Sequence, residues 1–373
     1  SALLALYRPG PMKYIDEYRD PALVHGLLAK IRKTADLIKR PVIIMEICGS
    51  HTYAIGRFGI RKMLPENIKL ISGPGCPVCV TSARDVDIAL YLAGNERVVF
   101  ATFGDMLRVP GSRGDSLQKK RAAGADVRVV ASAAECIDLA QSLPNREIIM
   151  MGIGFETTTP TVAFTIETCR RKGINNFSVF SVHKTVPPAV SALITDQSLN
   201  IDGFICPGHV STMIGSEAYR MIPAAGCAAV ITGFEPVDIM EGIWMILEQI
   251  AQDEFAVAIQ YSRGVKPAGN VRAMELVKSV FQADNVEWRG IGIIPDSGLV
   301  LRAAYEAYDP RKKFTIPDID PVEPQGCGCG DILRGIKTPE QCPLFRKICT
   351  PLNPVGPCMV SSEGSCSAHY KYY

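Results

Sequence analysis

No run of about 18 apolar residues occurs in this 373-residue chain, so nothing in it is expected to span a bilayer. Ser1 to Pro11 lacks the apolar stretch of a signal peptide, and a cytoplasmic location is the expectation. Net charge is almost absent: 40 basic against 38 acidic side chains leave +2, scattered along the sequence. That excludes a field able to gather nucleic acid or an anionic membrane surface. Neither a G-x-G-x-x-G fingerprint nor a P-loop is present, so a nucleotide site has no support. What the chain does have is apolar substance, 47% hydrophobic against 21% charged, and length for two or three domains. It also has thirteen cysteines. In a reducing compartment these do not read as a disulfide framework, which leaves metal ligation or thiol chemistry to explain their clustering.

Short apolar runs at 41–47, 68–72, 97–102, 127–131, 147–153, 177–182, 203–206, 228–232, 255–261 and 290–294 read as buried strands. Helical periodicity lies between most of them, at 21–39, 83–93, 133–141, 161–172, 186–195 and 237–252. Such alternation implies an α/β fold of parallel sheets covered on both faces. Residues 43–52 align without gaps on 148–157, and 72–76 on 205–209, a weak repeat that suggests two related α/β domains facing a central cleft. The expected division is 12–145, 146–308 and, where prolines and glycines break all periodicity, a cysteine-rich module over 309–373. Loops after the strands would then converge on one cleft.

That module carries Cys327, Cys329, Cys342, Cys349, Cys358 and Cys366 with little apolar core, so something must staple it. Four thiolates around a [4Fe-4S] cluster would do so, zinc being the competing staple; the wide cysteine spacing favours the cluster. Six thiols are two more than one cluster uses, and a surplus pair suits a redox-active dithiol. Upstream, Gly73-Pro74-Gly75-Cys76-Pro77-Val78-Cys79 places a Cys-x-x-Cys directly after a strand and before a helix started by Ser82. Its glycines and prolines suggest a fixed, exposed loop, and a helix N-terminus lowers a thiol pKa. Cys48 follows another strand with His51 three residues on, either a nucleophile with its base or a single-thiolate metal site. Glu156, in Gly154-Phe155-Glu156-Thr157-Thr158-Thr159-Pro160, is expected to stand exposed near the cleft, as a proton relay or as compensation for a helix dipole. His183-Lys184 and Cys206-Pro207-Gly208-His209 end further strands and are candidate polar groups in the cleft, whereas Cys136, Cys169 and Cys227 read as core.

Cys48-Gly49-Ser50-His51, the Gly73–Cys79 motif, the Gly154–Pro160 motif, Pro207-Gly208-His209-Val210-Ser211 and the spacing Cys327-x14-Cys342-x6-Cys349-x16-Cys366 together resemble the HypD family of [NiFe]-hydrogenase maturation factors. The resemblance runs from about residue 12 to the end. It implies a scaffold on which the Fe(CN)2CO group is assembled, with the small chaperone HypC sharing the iron with Cys48 and HypE presenting cyanide as a C-terminal thiocyanate. It also implies Cys327, Cys342, Cys349 and Cys366 as cluster ligands, which leaves Cys329 and Cys358 as the surplus pair. The family's first motif often reads Cys-Gly-x-His-x-His, and here Tyr53 takes the last position. Electrons would pass from the cluster through Cys329 and Cys358 to Cys76 and Cys79, beside iron on Cys48, with His51, Glu156 and His209 supplying protons or orienting the diatomic ligands. Two other readings use the same thiols: a cluster-dependent protein disulfide reductase acting through Cys76 and Cys79, and a structural adaptor whose cluster only folds the last module.

Overall fold

The computed structural model describes residues 12, 13 and 15–373; Ser1 to Pro11 lies outside them. The apolar runs form strands close to their expected bounds: β1 (Val42–Glu46), β2 (Ile68–Ser72), β3 (Val98–Thr102), β4 (Val127–Val129), β5 (Glu147–Gly152), β6 (Phe177–Ser181), β7 (Gly203–Pro207), β8 (Ala228–Thr232) and β9 (Val257–Ile259). Every residue of β3, β6, β7 and β8 is buried, the signature of strands covered on both faces. They assemble into two wholly parallel sheets, ordered β2-β1-β7-β8-β9 and β4-β3-β5-β6. Among the described residues no helix is long and apolar enough to cross a membrane.

Sheet membership does not follow chain order, and the expected division at residue 145 does not match it. β1 and β2 pair into one sheet with β7–β9, while β3–β6 form the other as an insertion between them. The 43–52 and 148–157 segments fall one in each sheet, but 72–76 and 205–209 both belong to strands flanking β1. An apolar run specifies burial without naming its hydrogen-bonded neighbour, so local similarity suggested two successive halves where the chain in fact leaves one sheet and returns to it.

Alternation along the strands distributes the cores. Ile44 joins a cluster under the Pro21–Ala35 and Pro236–Gln252 helices, whereas Met45 faces a second cluster. This central core also takes Ile149, Met151 and Phe180 from the other sheet, together with apolar residues of the Ala83–Ala93 and Val186–Thr195 helices. Cys329, Ile332, Phe345 and Met359 belong to it as well, so the cysteine-rich tail shares its core with the body. In each sheet the chain departs in opposite directions from two neighbouring strands, β1 and β7 in one and β3 and β5 in the other. A crevice opens at such a switch point beyond the carboxyl ends of the strands. Cys48 and His209 follow the first pair, and Glu156 follows β5.

The run at 290–294 is not a buried parallel strand. Gly290 (φ 72°) and Gly292 (φ 109°) supply a turn that side chains resist, and the chain folds back as an antiparallel hairpin of β10 (Phe281–Trp288) and β11 (Gly292–Leu301). The hairpin bridges Thr81 through Trp288 and Lys184 through Gly298, clamping loops from two distant segments. Trp288 is fully buried, donates its indole N–H to Ser297 Oγ at 2.8 Å and stacks on Phe155. Trp288→Ala is expected to lower unfolding free energy by about 3–5 kcal/mol, read from the denaturant midpoint.

Candidate functional site

Cys48 is half-buried and stands at the N-cap of the Gly49–Arg57 helix. The loops after β1 and β2 lie against one another through backbone: Gly49 N–H donates to the Gly75 carbonyl (2.8 Å), and Gly73 N–H to that of Glu46 (2.8 Å). A Cβ on Gly75 would stand 2.3 Å from Cys48 N and 2.4 Å from its Cα, so only glycine permits the approach. Cys76, the next residue, is bonded to Cys79 across a single helical turn, Pro77–Val80, with Cα atoms 5.3 Å apart. Both cysteines are buried, 3% and 0% exposed, which corrects the expectation of an exposed loop: Val78 and Val80 draw the turn into the central core. Burial, then the charge of Glu363, pushes the Cys48 thiol up to about 12, against the N–H groups of Ser50 and His51.

His51 is fully buried and is not directed at Cys48 as a base. Its Nε2–H donates to the Gly233 carbonyl (2.9 Å) with Thr232 Oγ1 at 2.8 Å, its Nδ1 has no partner among the described residues, and burial lowers its pKa to about 4. Phe234 is sandwiched between His51 (4.6 Å) and the exposed His209 (4.1 Å). His209, Phe234, Ser50, Tyr53 and Glu363 help line a cavity of about 810 Å3. Tyr53, in place of a second histidine, packs edge-on against Tyr372 at 5.7 Å.

Glu156 is buried, not exposed. Its Oε1 accepts the Val186 N–H (2.9 Å), so it caps the Val186–Thr195 helix, and its Oε2 has no partner among the described residues. Burial raises its pKa to about 7. Tyr219 connects the two switch points: burial drives its phenol well above the ordinary value, and Cys206, Glu156 and Cys48 all push in the same direction. His183 and Lys184 belong to the hairpin contact rather than to the cleft. His183 packs on Phe281, Lys184 Nζ donates to the Glu287 carbonyl (2.8 Å), and both are buried. Cys206 is a buried strand residue, and Cys136 and Cys169 are core as expected.

The six tail cysteines ring one apolar cavity with Leu344, Phe345, Gly356 and Met359. Among the described residues no three His, Cys, Asp or Glu side chains are grouped to hold a single ion. Cys329 Sγ and Cys358 Sγ lie 2.6 Å apart. Backbone N–H groups of Gly328 and Val355 point at Cys342 Sγ and Cys349 Sγ, each at 3.4 Å. A soft, dry donor set with N–H groups aimed at sulfur fits an iron-sulfur cluster. Three further residues gave no signal in the sequence. Arg289, 3% exposed and paired with Glu323, leaves Nη1 without a partner among the described residues, and its charge opposes the raised thiol pKa values of Cys327, Cys329 and Cys358. Glu363 accepts from Ser50 Oγ at 2.5 Å and packs against Gly49. Arg61 reaches from buried Glu46 (2.6 Å) to His369 (2.7 Å) on the Ser365–Tyr372 helix, which lies along the Gly49–Arg57 helix.

The geometry defines an α/β protein of two parallel sheets, with cysteine-bearing loops from distant segments brought side by side at the carboxyl ends of its strands. The family profile described as HypD, hydrogenase formation hypA family, matches residues 22–373. Hydrogenase maturation factor HypD2 of Bradyrhizobium diazoefficiens is 45% identical over 369 residues, 97% of each chain. HypD of Rhodobacter capsulatus is 45% identical over 371 residues, 97% of this chain and 98% of its own. A putative hydrogenase expression/formation protein of Methanocaldococcus jannaschii is 44% identical over 354 residues, 95% and 98%. The chain belongs to the HypD family of hydrogenase maturation factors.

The Glu156 carboxyl has a testable titration. With its folded pKa raised to about 7 from an ordinary 4.5, the native state holds a proton that the unfolded chain releases between those values. Its contribution to stability is present below the lower value and lost as pH rises through about 7, a swing of about 3 kcal/mol. Glu156→Gln is expected to remove that loss, raising the melting temperature relative to the parent at pH 8 but not at pH 4.5; equal shifts at both would contradict the assignment.

Proposed function

We propose that this chain is the scaffold on which the Fe(CN)2CO group of [NiFe]-hydrogenase is assembled, iron being held by Cys48 together with a cysteine of HypC. The observation that supports this reading is the backbone contact between Gly75 and Cys48, which sets Cys48 beside the Cys76–Cys79 disulfide. HypE presents cyanide as a thiocyanate, R–S–CN. Cleavage of its S–C bond takes two electrons, which a dithiol supplies: R–SCN and two Cys–SH give R–SH, cyanide, one proton and a disulfide. The bonded Cys76 and Cys79 correspond to the spent state of that step.

Recharging requires a reductant within reach. The Pro357–Met359 turn that carries Cys358 packs against the Pro77–Val80 turn, and Cys329 lies against Cys358, which supports thiol exchange between the two pairs. Cys327, Cys342, Cys349 and Cys366 would hold the [4Fe-4S] cluster, which when bound supplies electrons singly. His51, neutral by burial, and Glu156, titrating near neutrality, suit proton handling, and His209 faces the cavity lined by Ser50 and Glu363. The alternative of a general protein disulfide reductase uses the same thiols and predicts turnover of a thioredoxin-like substrate by the isolated chain without HypC.

Cys48→Ala, co-purified anaerobically with HypC, is expected to lose the cyanide and carbonyl infrared bands and the associated iron while keeping the visible absorption of the cluster. Bands persisting in that variant would overturn the assignment of Cys48. Cys76→Ser and Cys79→Ser would each stop maturation under this reading and leave it untouched under the adaptor reading.

A further inference from the structure

A groove of about 670 Å3 runs between the 108–122 segment and the 352–355 loop. Arg108 and Lys119 are the charged residues in its wall, and no carboxylate lines it. Neither is neutralised: Arg108 donates to the Pro351 (3.0 Å) and Val360 (3.3 Å) carbonyls, and Lys119 Nζ to that of Gly114 (2.6 Å), without a carboxylate partner among the described residues. Of the nearby acids, Asp115 is paired with Lys120 and Glu323 with Arg289, while Asp87 accepts from the Ser112 N–H and Oγ. At the rim, Leu352 is 96% exposed and Ile348 58%, an apolar tip held out in water by the loop that wraps Cys349. Val355, in the wall, is the residue whose N–H points at Cys349 Sγ.

An apolar tip beside unpaired cations, one hydrogen bond above a thiol of the cysteine-ringed cavity, has the composition of a transient electron-transfer contact. Such contacts are small, below about 1,200 Å2, and draw their speed and selectivity from opposite charge around a modest apolar centre. We infer that this groove is the docking surface for a small acidic one-electron carrier protein, which delivers reducing equivalents to the tail cysteines. The inference rests on the cluster assignment above. Each encounter oxidises the carrier by one electron and reduces this module by one. Two encounters, with two protons from solvent, balance the conversion of one disulfide to two thiols. The charge of the groove selects against basic carriers, and the exposed leucine gives the contact its short-range apolar anchor.

The test uses the anaerobically purified full chain, a reduced plant-type ferredoxin as acidic probe and a basic c-type cytochrome as control. Lys119→Glu and Leu352→Asp change exposed side chains, so visible absorption of the cluster reports that each variant is intact. The ferredoxin is expected to bind the parent with an affinity that falls as salt is raised, and at least tenfold more weakly to the double variant, with the cytochrome indifferent or repelled. Unchanged ferredoxin affinity in the double variant, absence of ferredoxin binding to the parent, or tighter binding of the cytochrome would overturn the docking surface. A parent chain lacking iron-sulfur absorption would instead bring down the cluster assignment, and with it this inference.

Discussion

The arrangement depends on the close approach of two loop backbones at residues 47–49 and 73–75. With no side chain at Gly75, the loop after β2 can lie directly on Cys48, and the hydrogen bonds from Gly49 and Gly73 lock the pair in register. The relative position of Cys48 and the Cys76–Cys79 turn is therefore set by main chain, which moves less than side chains do. Parallel pairing of β1 with β2 delivers both loops to the same edge, and the departure of β7 on the other side of β1 opens the crevice that they border. Reactive groups placed this way need no flexible search to meet.

The interior around these thiols is electrically quiet. Burial holds Cys48 protonated, keeps the His51 imidazole neutral and favours the protonated form of Glu156 at neutral pH and below. Two carboxylates at depth are paired with arginine, Glu46 with Arg61 and Asp238 with Arg263. A cation placed beside Cys48 would favour its thiolate. Arg289 has the corresponding part in the tail, a buried cation leaning on Cys327, Cys329 and Cys358.

Strand and helix positions were legible because apolar periodicity is a local property: β2 and the Ala83–Ala93 and Val186–Thr195 helices have the bounds that the sequence suggested. Which strand lies beside which was not, because β1 pairs with β7 across the whole of an inserted sheet and nothing in either run names the other. The cysteines announced themselves by spacing, but their depth did not follow from composition. Pro and Gly around Cys76 implied a fixed turn, correctly, and also an exposed one, incorrectly, since Val78 and Val80 pull it under. Glu156 was misplaced for the same reason, its motif polar but its partner, the Val186 N–H, supplied from 30 residues away. Glu363, Tyr219 and Arg289 carry no motif; each acquires its role only when the tail and the hairpin close over the two sheets.

The interleaved topology also orders the protein's birth. The Cys48 and Cys76–Cys79 loops leave the ribosome well before β7, β8 and β9, because the inserted sheet is translated in between, an interval of roughly ten seconds at common elongation rates. During that time their edge of the sheet lacks its other half. The Ser365–Tyr372 helix, with Cys366 at its start and Glu363 just ahead of it, docks on the Gly49–Arg57 helix only after both sheets have been synthesised. Until that helix docks, the cavity beside the Gly49–Arg57 helix lacks the wall that Ser362 and Glu363 supply.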